Sequence, residues 1–125
     1  MKRNWDVIRE LLSKVEECSL PTDMVQLSSF SPERAVEVSY HMELLFEAGL
    51  VDGQMSKTIG PGPYDFFAMR LTWNGHEFLD GIQSETVWQK TKKAFATNGI
   101  TMTFELVKSV ATEAASAALK AAIGG

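Results

Sequence analysis

One stretch constrains this chain more than any other. Residues Val38-Ser39-Tyr40-His41-Met42-Glu43-Leu44-Leu45-Phe46-Glu47-Ala48-Gly49-Leu50-Val51-Asp52 describe a helix that stops at a glycine and runs straight into a strand. Val38, Met42, Leu45 and Gly49 recur at three- and four-residue spacing, which places them on one helical face. Gly49 suits the left-handed position just past a helix end, and Leu50 can fold back onto the last turn. The remaining segments fall into place as packing around that helix.

A chain of 125 residues makes one domain with room for an appended element, and it can bury a core without disulfides or a metal. Cys18 is the only cysteine, so neither a disulfide framework nor a multi-cysteine metal site is expected. Its place at a helix end suits a structural role, and the usage fits a reducing, cytoplasmic setting. Met1-Lys2-Arg3 is basic, but Asp6, Arg9 and Glu10 interrupt what would have to be a signal-peptide core. The weakly polar C-terminal stretch is broken by Glu105, Lys108, Glu113 and Lys120, so no membrane span is expected. The net charge of −4 and pI near 5.1 count against strong non-specific affinity for nucleic acid.

Trp5, Ile8, Leu11, Leu12 and Val15 predict a first helix over about Asn4 to Glu17, capped by Asn4, with Asp6 in the first turn where the dipole favours an anion. Pro21 ends this region. Met24-Val25-Gln26-Leu27 suits either a short strand or a helix start, and the adjoining Ser28-Ser29-Phe30 favours strand and turn. Ser31-Pro32-Glu33 opens the next helix, with proline at its first position. Pro32 to Ala48 is read as one long helix with a reduced first element, because no glycine marks an internal turn.

The pattern Ser39-x-His41-x-x-x-Leu45-x-x-Ala48-Gly49-Leu50-Val51 resembles the third helix of many winged helix-turn-helix domains. The segment after this helix fits a wing. Leu50 begins a strand, Gly60-Pro61-Gly62-Pro63 is loop chemistry, and Asp65 to Thr72 returns by alternation, so the wing spans Leu50 to Thr72 with its tip near Lys57 to Tyr64. A further helix is expected from Asn74 to Ile82, restarting at Ser84-Glu85-Thr86 and running to Thr97. Asn98-Gly99 is a break. Ile100 to Ile123 forms a last helix whose stripe of Phe104, Val107, Ala111, Ala114 and Ala118 suits close approach by another helix. Self-association as a homodimer is expected there, with Gly124-Gly125 as a frayed tail. The fold class is thus α+β, mostly α: a winged-helix-like domain over 1–97, with a small antiparallel hairpin and an alanine-rich C-terminal helical extension over 98–125.

Three segments together resemble a known family. They are Met1-Lys2-Arg3-Asn4-x-Asp6-x-Ile8-Arg9, Val38-Ser39-Tyr40-His41-x-x-Leu44-Leu45-x-x-Ala48-Gly49-Leu50, and Leu71-Thr72-Trp73-Asn74-Gly75-His76-Glu77-Phe78-Leu79-Asp80. The chain looks like the domain of unknown function 2513 family of bacteria, their phages and prophages, over Met1 to Ala96. Leu71 to Asp80, together with Thr86-Val87-Trp88 and Lys90-Thr91-Lys92 after it, is the most specific part. The resemblance implies a winged-helix-like fold and a mobile-element setting. It implies no catalytic residues, because the family is named for lacking an assigned activity.

Enzymatic chemistry finds no foothold. His41 and His76 stand in neither a His-Glu-x-x-His nor a two-cysteine pattern. Their neighbours Glu43 and Glu77 point elsewhere on a helix. Gly60-Pro61-Gly62 lacks the lysine and hydroxyl residue of a phosphate loop, and no nucleophile has a base at a recognisable spacing. No catalytic residue, metal or cofactor is expected.

Two functions remain. A DNA-binding transcriptional regulator would put the helix in the major groove of double-stranded DNA and the wing on adjacent backbone. Arg34, Ser39, Tyr40 and His41 would make contact from the helix, and Lys57, Thr58 and Tyr64 from the wing. This is the favoured expectation, although Glu33, Glu37, Glu43, Glu47 and Asp52 against Arg34 alone oppose it. The alternative is a protein-interaction module, for instance one that modifies a host factor or defence system, on the same scaffold without DNA binding. Convergence of Arg34, Lys57, Arg70 and the lysines from Lys90 to Lys93 on one face would favour DNA.

Overall fold

The computed structural model describes residues 1–124 apart from 59 and 61. Ile59 and Pro61 of the expected wing tip, and Gly125 of the expected tail, lie outside the described residues. The element order is α1 (Trp5–Glu16), 3-10 turns at Leu27–Ser29 and Pro32–Arg34, α2 (Ala35–Glu47), β1 (Val51–Ser56), β2 (Asp65–Leu71), α3 (Trp73–Ile82), α4 (Glu85–Asn98) and α5 (Phe104–Gly124). The architecture is α+β and mostly α, as expected. Two compact units divide at Glu77/Phe78, inside α3. The expected boundary at 97/98 falls in the last turn of α4, ahead of α5, which packs on α4 within the second unit.

In the first unit, α1 buries Trp5, Ile8, Leu11, Leu12 and Val15, the stripe its spacing predicts, and Val7 beside them. Asn4 caps it: the side-chain oxygen accepts from the backbone N–H of Asp6 (3.0 Å) and Val7 (3.3 Å). α2 buries Val38, Met42 and Leu45. It ends as its glycine requires. Gly49 takes φ 72°, its N–H bonds the Phe46 carbonyl, and the Leu50 N–H reaches back to the Leu45 carbonyl at 3.0 Å. The helix end is thereby satisfied while Leu50 is buried. The reduced first element of this helix is the single 3-10 turn Pro32–Arg34.

β1 and β2 pair antiparallel, with Val51 opposite Leu71 and Ser56 opposite Asp65. The register shifts between Asp52 and Gly53. That bulge rephases the alternation: Phe66 and Ala68 are buried, then Met69 and Arg70 both face out, and Leu71 returns to the core. Met24 to Leu27 resolves as a single bridge, Val25 to Ala68, with bonds of 2.8 and 3.0 Å; a 3-10 turn comes directly after it. The hairpin closes at its base. The Thr72 N–H bonds the Leu50 carbonyl, while the Thr72 hydroxyl donates to the Gly49 carbonyl and accepts from the Gly75 N–H. Thr72 therefore caps α3 and ties it to the exit of α2. A Cβ on Gly75 would lie 2.0 Å from the Leu50 carbonyl oxygen, so only glycine admits this approach. The Leu71-Thr72-x-x-Gly75 signature is the sequence trace of that joint.

In the second unit, Ser84 caps α4 through the Val87 N–H, and Gly99 ends it in the left-handed conformation. Trp88 and Phe95 are buried. α5 starts at Phe104 rather than Ile100, because the Thr103 hydroxyl accepts from the Leu106 N–H and sets the helix start after the connector. It also continues through Gly124, the first residue of the expected frayed tail. Among the described residues no helix is long and apolar enough to cross a membrane.

Candidate functional site

α2 is sunk more deeply than its core stripe alone requires, since Ser39 (6 % exposed) and His41 (1 % exposed) are buried as well. On one side of α2 and its preceding turn Glu33, Val36 and Glu47 are exposed and Tyr40 and Glu43 half-exposed; Arg34 and Glu37 are half-exposed beside them. Positions 33, 36, 40, 43 and 47 follow helical spacing and make one outward stripe. It holds three carboxylates, an aliphatic residue and a tyrosine, and one of the carboxylates, Glu43, is paired with Lys57 of the hairpin.

The buried pair joins elements of the first unit. The Ser39 hydroxyl donates to the Tyr64 carbonyl at 2.7 Å and accepts from the Tyr64 N–H at 3.2 Å, clipping the returning limb of the hairpin to α2. His41 Nε2 lies 2.8 Å from the Asn4 nitrogen and Nδ1 2.7 Å from the Glu37 carbonyl oxygen. A backbone N–H can only donate and a carbonyl can only accept. Nε2 is therefore the acceptor and Nδ1 the donor in this pair of bonds, which fixes the tautomer they require. Ser39 and His41, both expected on DNA from the sequence, are buried and bonded within the chain.

The cations are engaged too. The Arg34 guanidinium makes a two-pronged pair with Glu10 of α1, both contacts 2.8 Å, and also donates to Glu37. Hydrogen bonding to Glu10 and then Glu37 raises the Arg34 pKa above its ordinary value. The bond from Arg34 lowers that of Glu10, against a smaller opposing effect of burial. Lys57 Nζ lies 2.6 Å from Glu43 on α2 and 5.7 Å from the centre of the Tyr64 ring. Its pKa is raised, chiefly by the bond to Glu43. Arg70 pairs with its cross-strand neighbour Asp52 at 2.6 Å. Arg34, Lys57 and Arg70 thus each answer a carboxylate. Lys92 of the second unit lies over the Trp88 ring.

Of the seven residues expected to meet DNA, Ser39, Lys57 and Tyr64 come together where α2 meets the hairpin. Arg34 is drawn to α1, and Tyr40 and Thr58 are surface residues. Tyr64 donates its hydroxyl to the Gly60 carbonyl at 3.1 Å. Sequence reasoning missed Glu10 and Asn4 as partners of Arg34 and His41. Only Arg34-x-x-Glu37 carried a local signal, its three-residue spacing on a helical surface.

The stripe expected to self-associate is divided. Val107 and Ala111 are buried and Phe104 stacks on Phe78 at 4.7 Å, so these three are already covered within the chain. Ala114 is half-buried and Ala118 exposed. The exposed apolar residues of α5 include Leu119 and Ile123, which lie off the expected stripe.

His76 lies 3.9 Å from Glu16 through Nδ1, tying the hairpin exit to α1. The half-buried Cys18 has its thiol pKa pushed up, by burial first and then by Asp23 and Glu17, which disfavours the nucleophilic thiolate. Among the described residues no group of three histidine, cysteine, aspartate or glutamate side chains could hold a metal ion.

The sequence matches the family described as "Hypothetical protein (DUF2513)" over residues 2–101. An uncharacterized protein of Haemophilus influenzae is 35 % identical over 111 residues, which cover 89 % of this chain and 92 % of that relative. No solved structure matches the chain.

Proposed function

We propose that this chain, which belongs to the DUF2513 family, is a non-enzymatic recognition module of winged-helix-like order whose α2–hairpin face binds a basic protein partner. One observation carries this reading: the outward stripe of α2 presents Glu33, Val36, Tyr40 and Glu47, its remaining carboxylate Glu43 is answered by Lys57, and Arg34 is held by Glu10 and Glu37. Phosphate neutralisation supplies most non-specific affinity for DNA, and this face offers phosphates repulsion. An aliphatic and an aromatic side chain among carboxylates suit a protein surface carrying lysine and arginine. Action in the cytoplasm, on a host factor in a phage or prophage setting, belongs to the same proposal.

A salt titration of binding to random duplex DNA tests it. The expected outcome is no retention even at low salt. Appreciable affinity that falls steeply as salt rises would overturn it in favour of a DNA-binding transcriptional regulator. That second function is favoured by the order of elements: helix, bridged strand, turn, helix, then a hairpin fastened to the second helix through Ser39. In that case Arg34→Ala combined with Lys57→Ala abolishes retention while the fold persists.

Self-association is proposed for the outer half of α5 alone, from Ala114 onward, where Ala118, Leu119 and Ile123 are exposed.

A further inference from the structure

We propose that the groove between the start of α2 and the hairpin seats a short basic segment of the partner, which inserts one large apolar side chain against Phe30 and Tyr64. This rests on the protein-partner reading above and gives it a site and a ligand chemistry. The groove has a volume of about 650 Å³, within the range of pockets that bury a side chain or small ligand. Phe30, Pro32 and Ala35 line it from the start of α2 and its approach; Thr58, Tyr64 and Asp65 line it from the hairpin.

Two features select the occupant. First, the lining includes one carboxylate, Asp65, and no cation. The exposed Glu33 adjoins Pro32, and Lys57, beside Thr58, is held by Glu43. An apolar patch of Phe30, Pro32, Ala35 and Tyr64, bordered by the hydroxyls of Ser28, Ser56 and Thr58 and by the Asp65 carboxylate, complements an apolar anchor flanked by lysine or arginine and disfavours acidic peptides and nucleic acid alike. Second, Tyr64, Asp65 and Leu27 in the walls are held by hydrogen bonds. Ser39 bonds both backbone groups of Tyr64, and Asp65 Oδ1 accepts from the Leu27 N–H at 2.9 Å and the Phe66 N–H at 2.8 Å. Little of the binding free energy is then lost to ordering the site.

The test is an amide NMR titration of the full chain with three capped peptides: Lys-Arg-Trp-Arg-Lys, Lys-Arg-Ser-Arg-Lys and Glu-Asp-Trp-Asp-Glu. The basic tryptophan peptide is expected to shift Ser28, Ala35, Thr58 and Tyr64 saturably, and to bind at least tenfold tighter than the other two. Ala35→Arg should weaken it at least tenfold; Thr58→Arg, at an exposed hairpin position, serves if Ala35→Arg does not fold. Equal binding of the serine peptide, or no shift at millimolar peptide, overturns the groove. Shifts confined to Val36, Tyr40 and Glu47 also overturn the groove but keep the protein-partner reading. Saturable shifts caused by random duplex DNA and by no peptide overturn both.

Discussion

At the scale of single residues, the chain relies on a few side chains that each satisfy two distant groups. His41 is the clearest case, since its ring joins the cap of α1 to the backbone of α2. His41→Leu keeps an apolar group of similar bulk but leaves the Asn4 N–H without its acceptor. An unsatisfied part-buried donor costs about 1–3 kcal/mol, and the loss should appear as a lower urea midpoint at unchanged slope. Gly75→Ala should be comparably damaging. Its methyl group would lie 2.0 Å from the Leu50 carbonyl oxygen, and forcing extra volume into a packed joint typically costs about 1–3 kcal/mol. Thermal unfolding measures it, and an unchanged melting temperature would refute the close approach.

Among the elements, the joint between α1 and α2 is electrostatic at its outer edge. The Glu10 carboxyl has its pKa lowered, mainly by the bond from Arg34. A depressed carboxylate pKa contributes stability that is full above the unfolded value and is lost as pH falls through the folded one. Glu10→Gln should therefore destabilise the protein near neutrality, by no more than about 1 kcal/mol because the pair is exposed to solvent. The difference from the parent chain should shrink below about pH 4.3; denaturation curves across that range check the sign. In α5, the half from Ala114 onward is what remains for a second copy. Removing residues 114–125 should turn a dimer into a monomer by light scattering, and a monomeric intact chain would refute it.

The sequence made the elements legible where their signals were local. The Gly49-Leu50 exit, the Asn4 cap, the α1 stripe and the α3 opening each depend on residues within a few positions of one another, and all stand where spacing put them. The bulge at Asp52/Gly53 was not legible, because strand alternation says nothing about an added residue until the partner strand is known. The start of α5 was missed for a different reason: the apolar pattern runs back to Ile100, but the Thr103 cap overrides it. The site was the least legible. Arg34, Ser39 and His41 look like reading residues on a helical wheel, and only partners 24 to 37 positions away reveal that they are occupied.

For the whole molecule, charge is distributed unevenly along the chain. The first unit carries twelve carboxylates against seven lysines and arginines, while the second carries four against five. The acidity of the protein is thus a property of the unit that bears α2 and the hairpin. An unbound face of this sign should associate faster with cationic partners, and the rate should fall as salt rises. Stopped-flow association with the basic tryptophan peptide, compared between the parent chain and Glu33→Gln/Glu47→Gln, should show a slower on-rate in the variant. Equal rates would remove the steering role.

The imidazole of His41 between α1 and α2 has one more use. Its Nδ1 proton is donated to a carbonyl oxygen in a ring that is 1 % exposed, and the other ring nitrogen is bonded to the start of α1, so its exchange with water should be slow while that joint is closed. That proton is a native beacon: its resonance in water should persist while the N-terminal helix is seated and vanish when it opens. The opening of this joint can then be timed in the unlabelled protein.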